Sequence, residues 1–300
     1  MKRPNLSIII LNHNTVALTR NCLASIEKNR NEVPLEVIVS DNGSSDGSLE
    51  MIREEFPWVK VVENETNLGF AAGNNRARGL AKGEYILFLN TDTIVNKWTL
   101  AETVRYMDEH PEVGALSSRL VLADGKHLDK DARRGFPTPW VALTHFSGLD
   151  RLLPNSKLFA KYWYGGVPED KVQEVDVIQG AYFLSPKKLL DKVGWFDEAY
   201  FLDGEDIDLC WKIHEAGKKI IYYPKASIIH LKGATKGKNK KTNVEVSLKN
   251  KIKFRMSSVN SMEIFYRKRM WKRYPILVNI LVVLGIKCLK GLRLIKLLLS

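Results

Sequence analysis

Three groups of residues in this 300-residue chain have types and spacing suited to chemistry. The first is Asn90-Thr91-Asp92, directly after the apolar run Tyr85–Leu89. An oxygen ligand at a strand end suits Mg²⁺ or Mn²⁺, which take one or two protein carboxylates and fill other positions from substrate phosphates. The same carboxylate would serve equally to cap a following helix, and spacing does not separate the two roles. The second group is Phe196-Asp197-Glu198 with Gly204-Glu205-Asp206-Ile207-Asp208. Carboxylates this dense repel one another, and a cation or a perturbed pKa eases that cost. Acids also favour the first turn of a helix, which accounts for Asp208 in a helix expected over Ile207–Ala216. Glu205 and Asp206 precede that helix and can point into a cleft. The third is His230, which ends the apolar run Ala226–Ile229. A lone histidine is more often structural than ligating, and its value rises only if it meets an ion at Asp92.

These groups need a frame. Leu6–Leu11, Leu35–Ser40, Val59–Glu63 and Tyr85–Leu89 read as strands, and Ala17–Lys28, Leu49–Phe56 and Ala71–Ala81 as the helices between them. That alternation gives an α/β fold with a parallel sheet and helices on its faces. Ligands of such sheets bind at the carboxyl ends of the strands. Four polar loops fall there: Asn12-His13-Asn14, Asp41–Asp46, Asn64–Asn67 and Asn90–Asp92. No dinucleotide glycine fingerprint and no Walker-type loop is present. Beyond residue 110 the pattern is less regular. Arg133–Gly166 is rich in aromatics and proline, as long functional loops are. Val175–Leu184 and Lys219–Tyr223 read as further strands.

Composition bounds the class. Hydrophobic residues are 45% and charged residues 27% of the chain, which excludes wholesale disorder. Cys22, Cys210 and Cys288 are too few and scattered for a disulfide framework or a zinc site. Met1–Leu11 holds a six-residue apolar run, too short for a secretory signal. Charge is uneven. Of 46 basic residues 18 lie from Lys232 onward, against only two of 34 acids, so this tail carries +16 and the rest −4. Such asymmetry points to a polyanion.

Taken in order, the motifs resemble the family-2 glycosyltransferases of the GT-A fold. The resemblance is carried by Leu6–Asn14, Val37–Asp46, Asn67-Leu-Gly-Phe-Ala-Ala-Gly-Asn-Asn75, Gly83–Asp92, Gly194–Glu198, Gly204–Leu209 and Ile228–His230. It covers roughly residues 5–232, and Phe-Asp-Glu with Gly-Glu-Asp-Ile-Asp-Leu is closest to the rhamnosyltransferase-like branch. It implies a Rossmann-like, mostly parallel central sheet, with a nucleotide-sugar half at 1–110 and an acceptor half at 111–231. It places Asn12 and Asp41 at the nucleotide base, and Asn67, Gly69, Asn75 and Asn90 along the rest of the donor. Asp92 matches the metal-binding aspartate, and His230 a histidine that some members give to the same Mn²⁺ or Mg²⁺. Asp206 matches the general base, with Glu205 beside it, and Asp197 and Glu198 would line the acceptor side. Two positions depart from the family: Asn90 replaces the first Asp of Asp-x-Asp, and Arg76-Ala77 replaces Ala-Gly.

What the resemblance implies is an inverting transferase moving rhamnose or a hexose from a dTDP or UDP donor to a glycan or polyprenyl-diphosphate-linked acceptor. A nucleotidyltransferase is the runner-up enzyme, although Leu11-Asn-His-Asn-Thr15 lacks a triphosphate loop. An inactive polyanion-binding scaffold is the non-enzyme alternative.

The tail, residues 232–300, has its own pattern. Lys232–Lys241 is rich in Lys and Gly and reads as mobile. Tyr274–Ile286 is a thirteen-residue uncharged run, too short to span a bilayer. Lys287, Lys290, Arg293 and Lys296 then recur among leucines. This predicts a basic amphipathic helix lying on an anionic membrane surface, peripheral to the cytoplasmic face. A hairpin folded back on the body with solvated charges is the alternative. Nucleic acid is not expected as a partner, since no reading motif is present.

Overall fold

The computed structural model describes residues 4–232 and 248–298, with side chains from 256 to 295 in the second segment. The Lys/Gly-rich stretch therefore lies largely outside the described residues. In chain order the main elements are β1 (Leu6–Asn12), α1 (Val16–Lys28), β2 (Leu35–Asp41), α2 (Ser48–Glu55), β3 (Lys60–Glu63), α3 (Phe70–Asn75), β4 (Tyr85–Asn90) and β5 (Thr93–Val95). There follow α4 (Thr99–Glu109), β6 (Val113–Leu122), α5 (Pro139–Phe146), α6 (Leu149–Leu152), β7 (Gln173–Glu174) and β8 (Tyr182–Pro186). The chain continues through α7 (Lys187–Val193), α8 (Glu205–Glu215), β9 (Lys219–His230), α9 (Leu248–Phe265) and α10 (Ile276–Leu298).

One sheet runs in the order β3-β2-β1-β4-β8-β6-β9-β5, with β7 beside β9. The block β3-β2-β1-β4 is parallel throughout. Antiparallel β8 joins that block to the parallel pair β6 and β9. Ile8, Ile9, Ile10, Val37, Ile38 and Val39 are fully buried. A near-continuous apolar run suits strands covered on both faces. Register does the positioning. Asn12 pairs with Asp41, and Leu11 with Asn90, so the polar strand ends meet at one rim.

The structure differs from the sequence expectation at four elements. Helix α8 begins at Glu205, not Ile207, so Glu205 and Asp206 belong to its first turn. Its cap, Gly204, has φ +96°, and a Cβ there would lie 3.0 Å from Ser261. Glycine thus permits both the left-handed turn and the approach of α9. The helix expected over Ala71–Ala81 is α-helical only through Asn75 and tightens to a 3₁₀ turn at Arg76–Gly79. Strand order within Val175–Leu184 is confined to its end, since β8 starts at Tyr182. Strand β9 runs past Pro224 to His230; the shift in its register with β6 falls at residues 224–226, where a missing N–H is tolerated.

The tail folds against the body as a helical hairpin. Val259, Phe265, Tyr266 and Met270 are buried, and the Ser257 hydroxyl donates to the Leu202 carbonyl at 2.7 Å. Its cations are not all solvated. Lys268 pairs with Asp197 at 2.5 Å, and Arg269 holds Asp208 with two bonds of 2.7 and 3.0 Å. These partners lie 71 and 61 residues away in sequence, which is why the charge run alone looked unpaired. Asp208 is fully buried. Arg269→Ala strands its carboxylate without a counter-ion and should destabilise the protein by about 3 kcal/mol in urea unfolding. A change under about 0.5 kcal/mol would mean the hairpin is not docked in solution. Among the described residues no helix is long and apolar enough to cross a membrane.

Candidate active site

A cavity of about 1030 Å³ lies over the strand ends, lined by His13, Asn42, Asn67, Asn90 and Asp92 on one side and Glu205 and Asp206 on the other. His230 lines it too, so the cavity unites all three chemical groups, which the sequence spreads from residue 90 to residue 230.

The first constellation is built by antiparallel β5 and β9, which pair Thr93 with His230. His230 Nε2 stands 3.5 Å from Asp92 Oδ1. Asp92 is 2% exposed, yet its Oδ1 has no hydrogen-bond partner among the described residues. A strand, not a helix, follows Asp92, so it caps nothing. An orphaned buried carboxylate oxygen beside an imidazole is what a cation site requires. Among the described residues no three His, Cys, Asp or Glu side chains gather to hold a metal. The pair fits an ion completed by ligand phosphates, as Mg²⁺ and Mn²⁺ commonly are.

His230 is positioned from behind by Asp129, whose Oδ2 is 2.8 Å from Nδ1. Asp129 is buried and also accepts from Lys232. Burial alone would lower the His230 pKa, but Asp129 and Asp92 outweigh it and raise it to about 9. Burial likewise opposes the charge of Asp129, while His230 and Lys232 hold its carboxyl down at about 2. The sign for stability follows. A charged His230 contributes fully below its ordinary 6.5, and the contribution is lost as pH rises through about 9. In EDTA, the unfolding free energy should fall between those pH values, and His230→Gln should remove that part of the slope. An unchanged slope in the variant would discard the assignment.

The second constellation is at the start of α8. Asp206 is 7% exposed and pairs with the Arg134 guanidinium at 2.5 Å. Arg134 comes from the irregular segment before α5, aligned by its bridge to Val177. Burial lowers the Arg134 pKa, but Asp206 more than reverses this and leaves it well raised, so the guanidinium stays charged. The α8 N-terminus adds partial positive charge. Three of the five dense acids are thus eased by separate cationic partners: Lys268 for Asp197, Arg134 for Asp206 and Arg269 for Asp208.

The remaining sequence candidates divide. Asn67, Gly69 and Asn90 line the cavity. Gly69 has φ +85°, and a Cβ would come 2.4 Å from the Phe201 carbonyl, so only glycine admits this crossing. Asn12 and Asp41 are buried behind the rim, bonded to each other at 2.6 Å, and Asp41 also holds Ser44. They brace the loops and do not face the cavity. Asn75 donates to the Phe196 carbonyl and to Glu198, outside the cavity. Asp197 and Glu198 do not line it either. Arg76 is exposed and lies outside the cavity lining. Sequence reasoning missed Arg134, Asp129 and Gln179. Gln179 lines the cavity with an Oε1 that has no partner among the described residues. Arg134 lay in the aromatic loop already singled out, whereas nothing local marked Asp129.

Residues 7–165 match the profile of glycosyl transferase family 2, more than half of the chain, and the protein belongs to that family. It is 25% identical over 219 residues to the N-acetylglucosaminyl-diphospho-decaprenol L-rhamnosyltransferase of Mycobacterium tuberculosis, covering 69% of this chain and 70% of that protein. It is 27% identical over 233 residues to the rhamnosyltransferase WbbL of Escherichia coli, covering 74% and 82%. The fold is similar to the mannosyltransferase PcManGT from Pyrobaculum calidifontis, solved with GDP-Man and Mn²⁺ (TM-score 0.58, 21% identity, 89% of this chain and 65% of that one). It is also similar to Staphylococcus aureus TarS solved with UDP-GlcNAc (TM-score 0.56, 18% identity, 86% and 66%). The architecture is that of the GT-A glycosyltransferases, and the chain is a glycosyltransferase.

Proposed function

We propose that this protein is an inverting, divalent-metal-dependent rhamnosyltransferase that uses a dTDP- or UDP-linked sugar and a lipid-linked or glycan acceptor in cell-surface polysaccharide synthesis. One observation carries the reading: Asp92 with His230, and Asp206 with Arg134, face a single cavity. The named relatives support the sugar and the acceptor class. The GT-A body at 1–231 would do the chemistry, and the tail would dock it.

Asp92 Oδ1 would hold the Mn²⁺ or Mg²⁺, joined by His230 Nε2 once binding displaces its proton. When bound, the ion neutralises charge developing on the departing diphosphate. Asp206 accepts the proton of the acceptor hydroxyl as its oxygen bonds to the anomeric carbon. The carbon–oxygen bond to the nucleoside diphosphate breaks, and its electron pair leaves with the diphosphate. A single displacement inverts the anomeric centre. Arg134 holds the Asp206 carboxylate in place before the acceptor arrives, and Asp129 keeps the His230 ring oriented.

The tail supports a peripheral site on the inner face of the plasma membrane. Along α10, Ile276, Leu277, Ile280, Leu281 and Leu284 are 47–72% exposed. Basic residues near an anionic leaflet add about 1 kcal/mol each. The test is transfer from dTDP-rhamnose and UDP-sugars to an N-acetylglucosaminyl diphosphate lipid in anionic vesicles, with the product's anomeric configuration read by NMR. Transfer with inversion is expected. Retention, or no transfer from either nucleotide by folded protein that floats with the vesicles, would refute the reading.

A further inference from the structure

The catalytic cavity does not end at the polar rim. Beyond Asp206 it continues between α5 and the α9–α10 hairpin, where its walls become apolar: Leu143, Phe146, Met262, Phe265, Val282 and Ile286. Three lining residues are also exposed: Leu143 at 58%, Phe146 at 47% and Leu281 at 68%. These come from two elements, α5 and α10, so the groove has an apolar mouth. That mouth merges with the exposed face of α10 formed by Leu277, Ile280 and Leu284. A sugar acceptor free in water gains nothing from such a channel, because its surface is hydroxylated. A molecule with a phosphate-linked sugar at one end and a long hydrocarbon chain at the other matches the polarity along the cavity from end to end.

We infer that the groove between α5 and the α9–α10 hairpin is the subsite for the hydrocarbon chain of a lipid-linked acceptor, with the chain leaving through the Leu143–Phe146–Leu281 mouth into the membrane. This rests on the proposed lipid-linked acceptor and assigns it a place. The hairpin is then part of the acceptor site as well as a membrane anchor. Its docking by Arg269 on Asp208 and Lys268 on Asp197 fixes the groove wall relative to Asp206 two residues from Asp208. One position makes the groove testable. Gly285 lines it, and a Cβ built there meets nothing within 4 Å. A large side chain at 285 fills the groove without displacing the hairpin, and loss of a helical glycine favours the helix.

The experiment compares two probes with the same N-acetylglucosaminyl diphosphate head, one on a ten-unit polyprenol and one on a short alkyl chain. Binding to the full chain is measured in detergent by equilibrium titration, and transfer is followed in parallel. The long chain should bind wild type about tenfold or more tightly than the short one. Gly285→Trp should abolish that advantage while leaving short-chain binding unchanged. Leu281→Asn, at an exposed position that does not threaten folding, should reduce it. Equal binding of both probes to wild type, or an undiminished advantage in both variants, overturns the assignment. So does a stable dimer that buries α10 and excludes the long probe. Chain-dependent binding without transfer from any donor would uphold the groove and refute the rhamnosyltransferase reading, so the two failures are distinguishable.

Discussion

Asp206→Asn is expected to lower kcat by about 10²- to 10⁴-fold while nucleotide binding persists. Asparagine keeps the shape of the side chain but cannot take a proton. The loss should therefore appear in turnover and not in the donor's dissociation constant, since Asp92 and the rim loops lie at the strand ends whereas Asp206 is in the first turn of α8. A structural effect must be separated, because Arg134 and Asp206 form a buried pair. Breaking such a pair from one side commonly costs about 3–5 kcal/mol. Arg134→Gln supplies the control. It strands Asp206 to a similar degree and should destabilise comparably, yet it leaves the carboxylate able to accept a proton. If both variants lost stability equally and only Asp206→Asn lost turnover by orders of magnitude, the base assignment would hold. Comparable turnover losses in the two would make Asp206 a positioning residue, and retained turnover in Asp206→Asn would discard it.

Asp92→Ala should be the second large effect. The diphosphate leaves with developing negative charge, and removing a group that stabilises such charge commonly costs about 10²–10³ in rate. Thermal unfolding offers an activity-free readout. A ligand at a hundred times its dissociation constant stabilises the native state by about 2.7 kcal/mol. UDP or dTDP with Mn²⁺ should raise the melting temperature of the wild type, EDTA should reduce that rise, and Asp92→Ala should show little metal-dependent part. The unliganded variant loses the Asp92–His230 contact, so the metal-dependent shift is read against each protein's own unliganded melting temperature. His230 keeps its bond to Asp129. A full metal-dependent shift in Asp92→Ala would place the ion elsewhere.

Much of the donor half was legible from local pattern. Short, mostly apolar runs ending in polar turns define strands, and strands in parallel register must bring their polar ends to one rim. That puts Asn90 and Asp92 beside the Asn12 and Asp41 loops. It did not show which side chains face inward. Asn12 and Asp41 satisfy one another behind the rim, because two short polar side chains at paired strand ends are closer to each other than to a ligand. The same holds for Asn75, which ties α3 to the chain at Phe196.

The sequence by itself determined the alternation of elements, the family motifs, the unequal charge of body and tail, and the density of acids around Asp206, though not that Glu205 and Asp206 open α8. Only the tertiary structure decided their partners. Asp129 reaches His230 across 101 residues, Arg134 reaches Asp206 across 72, and Arg269 reaches Asp208 across 61. Periodicity reports which face of an element is buried, whereas ion pairs depend on which elements the fold brings together. The tail's cations therefore looked free in the sequence, and folding gave several of them the acids of the body while leaving the leucines of α10 exposed.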